Sequence, residues 1–281
     1  MKNKKTMTNR IANMQLGTKI VGIILIVMLL MISSSIAGIS MVLNSSNRLL
    51  YQALAGSLTY SAEDISRKIS NIESMTSAIV SNSNIRKNLI TLNDEESEIR
   101  IGNAENALET LLADYYSTYK NNSISYINLY YPGGVVQSYE AQSSSVPEQV
   151  HKEVIAAANN VSGYPCAVTD YCNSYGLFLG RDSRRVEQMN FHRLGTVVVC
   201  VDMNRLIRSS TRSVLPSEET QYALLENGSE FYHSDGISSK QLKDINRQLS
   251  SDYGVVTVDS DRYFAVQGTI KNTSWDYICL I

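Results

Sequence analysis

The stretch from Ile20 to Leu43 contains 24 residues and no charged side chain. About 20 consecutive apolar residues are needed for a helix to cross the hydrocarbon core of a bilayer. Because a buried helix of a soluble core rarely stays uncharged over this length, the sequence predicts a transmembrane helix at 20–43. A cleaved signal peptide is the competing interpretation, since Ser35, Ile36 and Ala37 resemble a small-residue cleavage site.

The charges around this segment predict its orientation. Residues 1–19 carry five Lys or Arg side chains and no acid, and the first acid of the chain is Glu63. By the positive-inside rule, residues 1–19 form a cytoplasmic basic tail and the chain beyond Leu43 is extracytoplasmic. We therefore predict a single-pass protein of the cell membrane, in contact with lipid. After residue 19, 27 acids face 20 bases, which argues against a nucleic-acid partner.

Helical spacing of apolar residues continues beyond the membrane segment. The stripe consists of Leu54, Leu58, Ile65, Ile69, Ile72, Thr76 and Ile79. No proline precedes Pro132, so the membrane helix is predicted to continue as one rod to about Ser81. After a break at 82–84, a second helix is predicted from about Asn93, and the two helices occupy 44–122. We expect the long helix to pair in a homodimer and to dock on a folded domain.

Beyond residue 122 the apolar period changes from 3.6 to 2, which predicts strands. Residues 123–139 form a hairpin around Pro132, and the continuously apolar 195–202 is predicted as a central strand. From 216 to 281 the predicted order is two strands, a helix and three strands. We therefore predict an α+β fold with a membrane-distal unit at 123–215 and a membrane-proximal unit at 216–281. Because the sequence stops within an apolar strand, we expect a longer product.

Enzyme and metal motifs are missing from the sequence. It contains no glycine-rich phosphate loop, no G-x-S-x-G and no H-E-x-x-H, so we predict no catalytic residue and no cofactor. The three histidines do not stand at ligand spacing from a cysteine, so we predict no metal site. Four cysteines allow three full pairings, and these stay open. A local disulfide between Cys166 and Cys172, six residues apart in a polar loop, is one of the interpretations.

Tyrosine is the most informative residue type. The chain has 17 tyrosines, and ten lie between Tyr115 and Tyr175. Tyrosine joins an apolar ring to a polar tip, which suits a pocket for a small polar molecule, although tyrosines also cover exposed strands. Arg181 would hold an anionic group unless it forms a surface pair with Asp182, and Asp202 would accept from an amine or a hydroxyl. The candidate ligand-binding residues are Tyr130, Tyr139, Tyr175, Arg181 and Asp202.

The order of elements and several short motifs resemble a known family. The motifs are Leu16–Lys19 entering the membrane, Ile127–Tyr131 before Pro132-Gly133, Val198–Asp202 before Met203–Leu206, and Asn272–Tyr277. The chain resembles the double-Cache, PAS-like extracytoplasmic sensor regions of bacterial membrane receptors, most of all those of the YesM-like sensor histidine kinases. The resemblance implies a central antiparallel sheet flanked by the long helix, with the ligand pocket in the membrane-distal unit.

The resemblance also implies a function. It indicates the ligand-sensing region of a sensor histidine kinase, with a second membrane span, a HAMP segment and a kinase module to follow. The alternatives are the sensor region of a chemotaxis receptor or cyclase, and an anchored extracytoplasmic binding or adhesion protein without signalling output. Amino-acid-binding members place a Trp near a pocket Arg, whereas the single Trp275 lies in the second unit. Sugars, oligosaccharides or an extracytoplasmic binding protein therefore remain open as partners.

Overall fold

The computed structural model describes residues 16–138, 145–161, 163–187, 190–211, 220–249 and 251–281. Three of the sequence predictions lie outside these residues. They concern Tyr139, most of the basic tail, and the boundary between 215 and 216. The described chain divides into two compact units, residues 16–54 and residues 55–281.

The first unit belongs to one long helix, α1 (Leu16–Ser81). The large apolar side chains between Ile20 and Leu43 are 48% to 76% exposed, so they are not covered by the part of the chain that the structure describes. The most apolar window of this helix has a mean hydropathy of 2.8 and is not buried. Among the described residues, α1 is the one helix long and apolar enough to span a membrane, as the sequence predicted.

The second unit begins with the remainder of α1, which buries the predicted stripe. Six members of that stripe are at most 3% exposed: Leu58, Ile65, Ile69, Ile72, Thr76 and Ile79. Two further helices follow, α2 (Ser83–Asp94) and α3 (Glu98–Tyr119), and then a single 3₁₀ turn, Lys120–Asn122. Helix α3 buries Ala104, Leu108 and Leu112. The period of 3.6 residues thus correctly identified the packed face of α1.

The prediction that the second helix starts near Asn93 is wrong. Residues 83–94 form α2, whose N-terminus is capped by Asn82, since its side chain accepts from the amides of Asn84 and Ile85. Asn93 lies in the last turn of α2 and donates to the carbonyl oxygens of Leu89 and Leu194. It therefore ties a helix end to the sheet instead of beginning a helix.

The first sheet is antiparallel and has the strand order β2-β1-β5-β4-β3. Its strands are β1 (Ile124–Tyr131), β2 (Gly134–Gln137), β3 (Cys166–Val168), β4 (Leu177–Glu187) and β5 (Asn190–Val201). Helix α4 (Glu148–Asn160) lies in the chain between β2 and β3, and α5 (Met203–Thr211) follows β5. The predicted β1–β2 hairpin is confirmed. The predicted central strand is confirmed too, since Val197–Val201 of β5 is at most 1% exposed.

The second sheet repeats this arrangement with the order β7-β6-β10-β9-β8. Its strands are β6 (Gln221–Glu226), β7 (Ser229–His233), β8 (Tyr253–Val258), β9 (Asp261–Thr269) and β10 (Trp275–Leu280). Helix α6 (Ser239–Gln248) lies between β7 and β8 and begins with a capping box of Ser238 and Gln241. In both sheets, numbered from their own first strand, the order is 2-1-5-4-3 and the helix lies between the second and third strands. The predicted α+β fold with two antiparallel sheets is confirmed.

Candidate ligand-binding site

One face of the first sheet is packed against α4. Residues directly opposite each other on neighbouring strands share a face, and side chains alternate between faces along a strand. Val154 and Ala158 of α4 lie over Gly180 of β4, where an added Cβ would come within 2.9 Å of the Ala158 Cβ. The pairing of β1, β5 and β4 therefore assigns three cross-strand rows to the α4 face. These rows are Tyr126–Cys200–Phe178, Asn128–Val198–Gly180 and Tyr130–Thr196–Asp182.

The third row is polar, and two of its three residues are almost fully buried. Asp182 is 3% exposed and Thr196 is 1% exposed. The Asp182 carboxylate accepts from the Thr196 hydroxyl at 2.9 Å and from the Arg184 guanidinium at 2.9 Å. Arg184 also donates to the carbonyl oxygen of Asn159 at the end of α4. A buried carboxylate needs hydrogen-bond partners, and the hydroxyl of Thr196 and the guanidinium of Arg184 supply them for Asp182.

The first row forms an aromatic cluster with His151 of α4. A hydrogen bond of 2.8 Å joins the Tyr126 hydroxyl and Nε2 of His151. The His151 ring meets Phe178 edge-on at 6.2 Å and lies 5.5 Å from the Tyr130 ring. Burial raises the pKa of Tyr126 far above its usual range, so this phenol stays neutral. The cluster gives the α4 face a rigid apolar wall with polar atoms at defined places.

Tyr130 and Asn128 connect the aromatic cluster to the polar row. The Asn128 side-chain amide donates to the Tyr130 hydroxyl at 3.1 Å. Burial raises the pKa of Tyr130 to about 12, so its hydroxyl remains available as a donor at neutral pH. Asn128 is fully buried, whereas Tyr130 is only partly buried. The two residues therefore extend a hydrogen-bonding surface from the core toward solvent.

Acidic pH should destabilise the first sheet through His151. Burial lowers the pKa of His151 below its ordinary value of 6.5, against the opposing effect of the Glu148 charge. Below pH 6.5 the unfolded chain therefore binds a proton that the folded chain does not. This contribution to stability is complete above pH 6.5 and is lost as the pH falls toward the folded-state pKa. The slope for one proton is at most about 1.4 kcal/mol per pH unit.

Native-state hydrogen exchange of β5 at several pH values measures this effect. The variant His151→Gln should lose much of the acid-side slope. His192 is exposed and provides the matched control, since His192→Gln should keep the wild-type slope. Equal slopes in His151→Gln and the wild type would exclude a contribution of His151.

The structure does not bring the predicted ligand-binding residues together. Tyr130 lies on the α4 face, but Arg181 is opposite Val197 and therefore lies on the other face, toward α1. Arg181 Nε donates to the Gly163 carbonyl oxygen at 3.0 Å. Its charge also opposes the burial that raises the pKa of Glu73 on α1. The predicted surface pairing of Arg181 with its neighbour Asp182 does not occur, because the two side chains alternate between faces.

The remaining predicted residues have other partners. Asp202 caps α5, because its carboxylate accepts from the Arg205 amide at 2.9 Å. Tyr175 is 39% exposed, and its carbonyl oxygen accepts from the Cys200 thiol at 3.5 Å. Cys166 lies on β3 and Cys172 in the turn after it, and both are thiols in the structure. A ligand-binding role for Tyr175 or Asp202 stays a prediction, and so does a disulfide between Cys166 and Cys172.

Sequence analysis missed most of the polar residues on the α4 face. They are Tyr126, Asn128, His151, Asp182 and Thr196. Tyr126, Asn128 and Thr196 stand in apolar strand segments, so each was detectable as a polar residue within a buried strand, whereas Asp182 stands in the polar segment 181–185. What the sequence lacks is the strand order, which alone shows that these residues share one face.

The second sheet carries cavities of its own beside α6. One has a volume of about 130 Å³, with Ile237, Ile245 and Leu280 among its apolar lining residues. A groove of about 300 Å³ runs next to it, along α6 and the β8–β9 turn. Pockets for drug-sized ligands span roughly 300–1,000 Å³ and enclose most of the ligand surface. The enclosed cavity of the second sheet is thus smaller than this range, whereas the groove reaches its lower end.

Known structures share this architecture. The ligand-binding domain of the Campylobacter jejuni chemoreceptor Tlp3, in complex with L-norvaline, is 10% identical at a TM-score of 0.54 and covers 83% of this chain and 90% of its own. The ligand-binding domain of the Pseudomonas aeruginosa PAO1 amino acid chemoreceptor PctC, in complex with GABA, is 15% identical at 0.52, covering 84% and 100%. The extracellular domain of soHK1S-Z6, assigned as a histidine kinase, is 15% identical at 0.53, covering 84% and 95%.

The chain has the double-Cache fold. This conclusion rests on architecture, because sequence identities of 10% to 15% are too low to carry over a ligand or an output. No protein-family model matches the sequence. A search of curated proteins finds no significant match. The double-Cache fold alone therefore specifies no ligand, and the residues of the site carry the information about function.

Proposed function

We propose that the chain is the extracytoplasmic ligand-sensing region of a membrane receptor, and that the α4 face of the first sheet binds a small polar molecule. The observation that carries this proposal is the row Tyr130–Thr196–Asp182. Buried polar side chains such as Thr196 and Asp182 are uncommon in a plain structural core, whereas they suit the recognition of a polar ligand. Arg184 is 25% exposed, so the row approaches solvent at the Asp182 end as well as at Tyr130.

The chemistry of the row suggests what the ligand carries. Asp182 accepts hydrogen bonds from an ammonium or a hydroxyl, and the Tyr130 and Thr196 hydroxyls both donate and accept. Phe178 and Tyr126 of the first row supply apolar side chains on the same face. A molecule of a few polar groups on a short carbon frame fits this combination. Two of the structural neighbours have L-norvaline and GABA bound, which supports ligands of this size.

Two finer points belong to the same proposal. The five basic residues before Ile20 favour a cytoplasmic N-terminus, with the sheets outside the membrane. The sequence motifs favour a sensor histidine kinase of the YesM-like group as the receptor type, with pairing of the long helix in a homodimer. The fold is equally compatible with a chemoreceptor, since both kinds of receptor are among the similar structures.

The proposal is tested by titrating the full chain in lipid nanodiscs with a panel of small molecules. The panel contains aliphatic L-amino acids, GABA, neutral sugars, oligosaccharides and short carboxylic acids. We expect one chemical class to raise the unfolding temperature and to bind saturably in calorimetry, because a ligand of the folded state stabilises it by mass action. Absence of saturable binding across the panel would contradict a small polar ligand.

A further inference from the structure

The turn from Thr169 to Gly176, here named the connecting loop, touches both the candidate site and the second sheet. On the site side, the Tyr171 ring meets Phe178 edge-on at 6.3 Å, and Tyr171 also donates a hydrogen bond to Glu153 of α4. Tyr171 is thus packed against both the strand and the helix that form the site. Its ring occupies one border of the α4 face.

The other side of the connecting loop is bound to the β6–β7 hairpin. The side chain of Asn173 accepts from the backbone amide of His233 at 3.0 Å. The Thr169 hydroxyl donates to Glu226 at 3.4 Å, at the end of β6. The second oxygen of Glu226 accepts from Ser274 at 2.7 Å, immediately before β10. The loop therefore contacts the second sheet at the edge strand β7 and at the end of β6. Glu226 links the contact at β6 to the residue that precedes the central strand β10.

Backbone hydrogen bonds hold the connecting loop together. The Tyr171 carbonyl oxygen accepts from the amides of Ser174, Tyr175 and Gly176 at 2.8 to 3.0 Å. Gly176 has a φ of +128°, and an added Cβ would lie 2.4 Å from the Val201 carbonyl oxygen, so the loop end is fixed against β5. These hydrogen bonds connect Tyr171 to the segment that carries Asn173, and the Cys172 amide donates to the Thr169 carbonyl oxygen at 3.1 Å.

We infer that the connecting loop couples the candidate site to the β6–β7 hairpin. Tyr171 is a positioning residue, and its position depends on the contacts that Asn173 and Thr169 make with the second sheet. A ligand that moves Tyr171 thereby shifts the packing of the hairpin, and a change in the hairpin alters the site by the same coupling free energy. The inference rests on the proposed function for the identity of the site. It predicts that substitutions on the two sides of the loop have non-additive effects on hydrogen exchange.

Hydrogen exchange of the full chain without ligand tests the coupling. Tyr171→Ala should accelerate exchange of the amides of residues 230–232 in β7 by about 5-fold or more, the lower end of typical couplings. Tyr164→Ala removes a ring that is 73% exposed and is the matched control, expected to leave β7 unchanged. In a chain carrying Thr169→Val and Asn173→Ala, Tyr171→Ala should have no further effect on β7.

Equal acceleration of β7 with and without the loop substitutions would overturn the inference, as would an unchanged β7 in Tyr171→Ala. If Tyr171→Ala does not fold, Glu226→Gln tests the reverse direction. That substitution should accelerate exchange in α4, on the far side of the loop, and unchanged exchange in α4 would overturn the inference. Because no ligand is used, the result is independent of whether the titration panel contains the ligand.

Discussion

Phe178→Ala should lower the free energy of unfolding of the first sheet by about 3–5 kcal/mol, the usual cost of removing a buried phenylalanine. Phe178 is fully buried at the centre of the α4 face. Its ring contacts His151 of α4 and Tyr171 of the connecting loop edge-on, at 6.2 and 6.3 Å. The substitution therefore leaves a cavity at the point where strand, helix and loop meet. Hydrogen exchange of β5 amides gives the free energy directly.

The chain offers a matched control for this substitution. Phe191 lies on β5 and is 70% exposed, so Phe191→Ala should change the same free energy by less than about 0.5 kcal/mol. The two variants remove the same ring from a buried and from an exposed position. A cost for Phe178→Ala as small as that for Phe191→Ala would mean that the aromatic cluster on the α4 face is not packed.

Asp182→Asn should weaken binding of the identified ligand by more than about tenfold, because removal of one partner of a buried charged hydrogen bond costs about 2–5 kcal/mol. The Asp182 side chain is fully buried and accepts from Thr196, which stands between Asp182 and Tyr130 in the polar row. The amide that replaces it keeps the volume and loses the charge. Calorimetric titration of the variant measures the loss in affinity.

Asp202→Asn is the control for this chemical change. Asp202 caps α5, and asparagine caps a helix as well as aspartate does, so the fold is expected to tolerate the substitution. Affinity within about twofold of wild type is the expected result, since Asp202 is hydrogen-bonded at the start of α5. A tenfold loss in Asp202→Asn with none in Asp182→Asn would favour the residues predicted from sequence over those assigned from the structure.

The elements that sequence analysis predicted are those with a long, regular period. The stripe from Leu58 to Ile79 specified the packed face of α1, and the continuously apolar Val197–Val201 specified the central strand. Helix α2 was missed although Ile85, Leu89 and Leu92 follow helical spacing, because it is short and rich in asparagine. Strand β3 was missed because three residues carry too little pattern to distinguish a strand from a loop.

The site was harder to predict for a geometric reason. Arg181 and Asp182 are neighbours in the sequence, and a one-residue difference along a strand transfers a side chain to the other face. Arg181 was chosen because its charge suits an anionic group, while the sheet directs it toward α1. Tyr130, Thr196 and Asp182 meet only because β5 lies between β1 and β4. That order follows from contacts distant in sequence, which no local pattern reveals.

The central claim is that a small polar ligand binds on the α4 face of the first sheet. The most direct measurement is a crystal structure of residues 44–281 with the compound that binds most tightly in the titration. We expect electron density for the compound between α4 and the row Tyr130–Thr196–Asp182, with a polar atom of the ligand within hydrogen-bond distance of Asp182. Density on the α1 face beside Arg181, or beside α6 in the second sheet, would contradict the claim.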